Sequence, residues 1–158
     1  MQPAKSRARE HQVVFCGLEV LRLIGERMES RNDVDGQDLQ VVLTFMREVA
    51  HRCLDNTEEI LRFACMDQRI ANHEKARSLF EQLSRASAAE EFAVSCRLYT
   101  DLLAHTIFED RRCLATLGCD PVTLSQFYEW ERETDDLARQ HGQTMHRLEM
   151  KYTNPQCI

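Results

Sequence analysis

The chain has 158 residues, 43% hydrophobic and 29% charged, with only 5 glycines and 3 prolines. That length and composition fit one soluble domain with a real core, and the scarcity of turn residues disfavours a β fold and favours long helices. The formal net charge is −6, and no basic face stands out beyond Lys5-Ser6-Arg7-Ala8-Arg9, which argues against nucleic-acid binding.

The apolar run after this basic start is broken by Glu10, Glu19, Arg22 and Glu26, so neither a secretory leader nor a membrane span is expected. Seven cysteines (Cys16, Cys53, Cys65, Cys96, Cys113, Cys119 and Cys157) lack pairing spacings. They read as small apolar side chains, reduced and not metal ligands, in a cytoplasmic protein.

Helical periodicity then runs through most of the chain. A first helix is predicted from about Arg9 to Ser30, with Val14, Leu18, Leu21 and Met28 on one stripe. Residues 31–36 form a polar turn. A second helix starts near Gln37 and carries Leu39, Leu43, Met46, Ala50, Leu54 and Leu61 on one side.

After a break near Asp67 or Gln68, a third helix places Ile70, Ala76, Phe80 and Leu83 inward. Ser84 to Ser87 make the next connection. A fourth helix is predicted over Ala88 to Leu117, with Leu98, Leu102 and Ile107 inward and Gly118 as its C-terminal cap. Asp120 and Pro121 restart a fifth helix as N-cap and first helical residue; it holds Leu124, Phe127, Trp130, Leu137 and Leu148, and a frayed tail begins at Thr153. Short loops between long helices imply antiparallel neighbours in an all-α, up-down four-helix bundle with an additional C-terminal fifth helix. The whole chain, 1–158, reads as one domain, with a four-helix core over 8–118 and the appended helix over 120–152.

Polar residues interrupt the apolar stripes. By spacing, His11 shares a face with Val14 and Leu18, and Glu58 with Leu54 and Leu61. His73 shares a face with Ile70 and Phe80, and His105 with Leu98 and Leu102, with Glu109 one turn further on. Each of the four helices thus brings a metal-competent group towards the axis. Burying such groups is costly unless they are paired or coordinated, and an ion would remove that cost for all of them. Satisfied core histidines and helix-end carboxylates are the competing reading, and the spacing alone leaves both open.

Local words add a resemblance. Glu10-His11-Gln12-Val13-Val14, Ala50-His51-Arg52-Cys53-Leu54-Asp55-Asn56-Thr57-Glu58-Glu59, Asn72-His73-Glu74-Lys75-Ala76-Arg77 and Leu102-Leu103-Ala104-His105-Thr106-Ile107-Phe108-Glu109-Asp110 occur in order. Together, over about residues 8 to 118, they resemble the four helix motifs of the hemerythrin-like (HHE, cation-binding) family. The resemblance implies a non-haem iron centre, two irons or else one iron or another divalent metal, that binds dioxygen, nitric oxide or peroxide. It implies His11, His73 and His105 as terminal ligands, with Glu58 and Glu109 as carboxylate ligands. Asp110 is the alternative to Glu109, about 140° round the helix from His105.

The sequence departs from the family pattern at two positions. Leu54 stands where the second-helix motif has a histidine, and Arg77 where some members have another. His51, one turn before Leu54, is a substitute ligand or a solvated residue beside Asp55. A bundle that has lost full metal binding and acts as an interaction or regulatory module is the rival to the iron protein. His141 and His146 read as surface residues, and Phe127, Tyr128 and Trp130 as packing. No nucleophile–base set or phosphate loop is present.

Overall fold

The computed structural model describes residues 3–30, 33–63, 67–116 and 121–153. Among them the chain is all-helical: α1 (Pro3–Ser30), α2 (Gly36–Phe45), a π-helical turn (Met46–Ala50), α3 (His51–Phe63), α4 (Asp67–Arg85), α5 (Ala89–Thr116) and α6 (Pro121–Thr153). Because α2, the π turn and α3 are continuous, the described residues form five helical rods. No described helix is long and apolar enough to cross a membrane. The predicted cap at Gly118, the N-cap at Asp120 and the packing roles of Leu124, Phe127, Tyr128 and Trp130 lie outside the described residues.

The helix starts obey local chemistry. Asp35 caps α2 by accepting the Gln37 N–H at 2.9 Å, which satisfies one of the free donors of the first turn. Pro121 opens α6 at the position where its missing N–H costs nothing.

Side-chain contacts fix the relative directions. Near the end of α1, Gly25 lies against Cys96 and Glu29 pairs with Arg97, both near the start of α5. His73 with Asp110 and Phe80 with Tyr99 make α4 and α5 antiparallel. Glu58 with Arg77 and His51 with Phe80 do the same for α3 and α4. Helix α6 runs parallel to α1, with Gly142 beside Val13 and Tyr152 beside Arg27. The most extensive packing between described helices is that of α6 on α1, so α6 is an integral part of the core.

Two glycines allow these approaches. A Cβ at Gly17 would lie 2.5 Å from the Met46 methyl and 2.6 Å from the Phe45 ring, so any side chain there would push α1 off the π turn. A Cβ at Gly25 would come within 3.1 Å of Cys96, where α1 crosses α5. The core between the helices is built from Val14, Leu21, Ile24, Phe45, Met46, Leu54, Phe80, Tyr99, Leu103, Met145 and Leu148. Cys16 and Cys96 belong to this packing. Burial pushes the Cys96 thiol up to about 12, and burial with the neighbouring Glu149 and Glu19 pushes that of Cys16 to about 11.

The π turn sets the facing of α3. Val42, Met46, Ala50, Leu54 and Glu58 are all buried at a constant spacing of four. In a regular α-helix that spacing drifts by about 40° per step. The π turn holds more residues per turn and takes up the drift, so Glu58 stays on the buried face.

Candidate functional site: a buried carboxylate–imidazole–carboxylate cluster

Three helices deliver the cluster. Glu58 comes from α3, His73 from α4 and Asp110 from α5, and all three are buried, with His73 fully enclosed. His73 Nε2 lies 2.5 Å from Asp110 Oδ2. An ionised Asp110 carboxylate would accept here from an Nε2–H. The other ring nitrogen, Nδ1, faces Glu58 Oε2 at 3.4 Å, too far for a sound hydrogen bond. Among the described residues, buried His73 Nδ1 and Asp110 Oδ1 both lack a hydrogen-bond partner.

Glu58 is held from its other side. Arg62, one turn on in α3, donates to Oε1 at 2.8 Å, and Arg77 of α4 donates to Oε2 at 2.6 Å. Arg77 also reaches Asp55 at 2.5 Å. Burial pushes the Glu58 carboxyl up. The hydrogen bonds from Arg77 and Arg62 outweigh it and hold Glu58 below the usual carboxylate range. Outside this ion pair an open pocket of about 570 Å³ is lined by Asp55, Asn56, Glu58, Glu59, Arg62 and Arg77. It connects solvent to the outer side of the cluster.

The residues one turn away keep the inner side dry. Leu54 and Leu61 flank Glu58, Ile70 and Ala76 flank His73, and Leu103 and Ile107 precede Asp110; all are buried. Thr106, one turn before Asp110, is fully buried with an unpartnered hydroxyl oxygen.

Of the residues expected from spacing, the structure brings Glu58 and His73 together. It does not bring His105 to them. His105 is exposed, and of the residues expected inward on this helix Leu98 is turned outward at 54% accessible, Leu102 is half-buried against the core and Ile107 is buried. The reason is that α5 carries two apolar stripes. The one buried on α1 and α4 runs through Phe92, Cys96, Tyr99, Leu103, Thr106 and Asp110. Glu109 accordingly sits half-buried beside Arg112 at 3.3 Å, while Asp110 takes the inward place. The side chain of His11 lies outside the described residues.

His51 takes neither of its two expected roles. It is partly buried, 3.1 Å from the Tyr99 hydroxyl and edge-on to the Phe80 ring. Burial, then the nearby Arg77 charge, lowers it to about 4. His146 is exposed, and His141 is half-buried, edge-on to Phe45 and 3.8 Å from Glu48.

Among the described residues, no three His, Cys, Asp or Glu side chains stand in a formed metal-binding arrangement. The donor chemistry nonetheless suits one divalent ion. His73 Nδ1 and Glu58 Oε2 face each other inside the fold, and nitrogen–oxygen sets of this kind take iron, manganese or zinc; the unpartnered Asp110 Oδ1 belongs to the carboxylate on the opposite ring nitrogen. A second ion finds no comparable donors among the described residues, because Leu54 is apolar, Arg77 is cationic and His105 faces solvent. No family model, no curated protein and no solved structure matches this chain.

Proposed function

We propose that the chain is a hemerythrin-like, non-haem iron protein of the cytoplasm, an up-down four-helix bundle (α1, α2–α3, α4, α5) with α6 packed beside α1. Its centre is reduced to one iron held by Glu58 and His73 Nδ1, with Asp110 on the opposite ring nitrogen, and it binds dioxygen, nitric oxide or peroxide for sensing, carriage or iron and redox homeostasis. The observation that carries this reading is the fully enclosed His73 between two buried carboxylates, with Nδ1 and Asp110 Oδ1 unpartnered.

A lone-pair nitrogen facing a carboxylate at 3.4 Å is unfavourable unless a cation or a second proton lies between them. An iron bound there would supply an open coordination position to a diatomic ligand. The protein's own part is to orient and exclude. Asp110 fixes the ring of His73, as second carboxylates do at metal-bound histidines. Leu54, Leu61, Ile70 and Ile107 keep water away. Arg77 must release Glu58 before that carboxylate can turn inward.

A second reading is favoured by Arg77 itself. Its guanidinium already neutralises Glu58, and a doubly protonated His73 would satisfy both carboxylates. The bundle would then be a metal-poor interaction or regulatory module. Metal analysis after anaerobic reconstitution with ferrous salt separates the two. The iron reading expects close to one iron per chain, lost in His73→Ala. A content below about 0.2 per chain, from coordination too weak to compete with the Arg77 pair, leaves the metal-poor module.

A further inference from the structure

The outward stripe of α5 has no partner among the described residues of the monomer. Val94, Leu98 and Phe108 are 44%, 54% and 59% accessible, unusual for three large apolar side chains on one helix. They are not scattered. Val94, Leu98, Asp101, His105, Phe108 and Arg112 succeed one another at alternating spacings of four and three, the seam of a helix that packs on another helix. All six are exposed. The face opposite carries the second seam, already filled by α1 and α4.

We propose that this face pairs with α5 of a second copy of the chain, antiparallel about a two-fold axis near Leu103. The distribution of charge along the stripe sets the direction. Its start is acidic, with Glu90 and Glu91, and its end is basic, with Arg111 and Arg112, all exposed. Only an antiparallel arrangement sets the acidic end of one copy against the basic end of the other; a parallel one sets like against like at both ends.

The same register makes the interior self-complementary. Leu98 and Phe108 are equidistant from Leu103, so each faces the other across the axis. Asp101 and His105 are also equidistant from it, so an imidazole N–H meets a carboxylate twice. A polar pair inside an apolar seam fixes register, which a uniform apolar stripe does not. The pairing involves only the outward stripe, so it does not depend on the metal reading.

A single helix face lies at the low end of specific interfaces, so the expected association is in the micromolar range. The test is sedimentation velocity on the full chain from about 1 to about 200 µM, a range that brackets such a constant. The weight-average mass should rise from one chain towards two. Leu98→Glu with Phe108→Glu should keep the chain monomeric throughout with an unchanged far-UV spectrum, since both sites are exposed.

Glu90→Arg with Glu91→Arg should weaken association at least tenfold, as should Arg111→Glu with Arg112→Glu. All four substitutions together should restore it. A monomer at the highest concentration overturns the proposal. So does a dimer that survives Leu98→Glu with Phe108→Glu, or a fourfold variant that remains as weak as its halves.

Discussion

Two buried polar clusters lie in the same helical fold, and they differ in how their central groups are partnered. At one end, Asp38 Oδ2 accepts from the Tyr152 hydroxyl and from Lys151 Nζ, each at 2.7 Å. The same hydroxyl accepts the Asp35 N–H at 3.3 Å, and Arg27 donates to the Tyr152 carbonyl at 3.0 Å. Arg27 and Lys151 also lie over the Tyr152 ring. Burial pushes Asp38 up, but Lys151 and the Tyr152 hydroxyl outweigh it and hold the carboxyl below its usual range.

Around His73, by contrast, one ring nitrogen and one carboxylate oxygen stay unpartnered although enclosed. Unsatisfied buried groups cost free energy, so the unpartnered His73 Nδ1 marks the place where the proposed ion would bind. The Tyr152 cluster clasps α6 to α1 and α2; the His73 cluster offers donors.

The largest expected effect is at His73. His73→Ala in the presence of chelator leaves Glu58 and Asp110 facing a void without the ring between them, and should destabilise the fold by about 3–5 kcal/mol in denaturant unfolding. It should also abolish iron uptake. A stability equal to wild type would mean that the ring carries no charge balance in the cluster.

Next comes the Tyr152 cluster. Tyr152→Phe removes the hydroxyl between Asp38 and Asp35 and should cost about 1.5–3 kcal/mol, as for hydrogen bonds to charged groups. Iron content should not change. A Tyr152→Phe protein that lost iron would erase the distinction between the two clusters.

The smallest effect is a pH dependence. His51 is held neutral, lowered from 6.5 to about 4, so the folded chain refuses a proton that the unfolded chain accepts. Its contribution is complete above pH 6.5 and is lost as the pH falls towards 4. His51→Gln should therefore flatten the stability profile in that window, measured by thermal unfolding across pH. An unchanged profile would mean that His51 does not hold off a proton in the folded chain; Asp38 and Glu58, both lowered, act further down, below the ordinary carboxylate range.

Much of the helix layout was legible in the sequence because long periodic segments announce themselves. The expected break at Asp67 and the restart at Pro121 match the starts of α4 and α6. Glu58 and His73 were legible as inward because each interrupts a single apolar stripe. Helix α5 was not, since its two stripes fit the same period and Val94, Leu98 and Phe108 mark the outward one with apolar residues as the inward one is marked. The signal that separates them is the run of Cys96, Tyr99, Leu103 and Thr106, which leads to Asp110. The π turn left no signal beyond the run of apolar residues at spacings of four, which an α-helix cannot keep on one side. The role of Arg77 could not be read from sequence either, because its partners lie on another helix.

The most direct test of the site is an anomalous difference map at the iron edge from crystals of the full chain loaded anaerobically with ferrous salt. One peak per chain is expected, enclosed between α3 and α4, at metal–donor distances of about 2 Å from His73 Nδ1 and from a carboxylate oxygen of Glu58. Arg77 should at the same time have turned away from Glu58 towards Asp55 and the outer pocket. A peak elsewhere, or none with the Arg77–Glu58 pair intact at full iron saturation of the medium, would contradict a one-iron centre at His73.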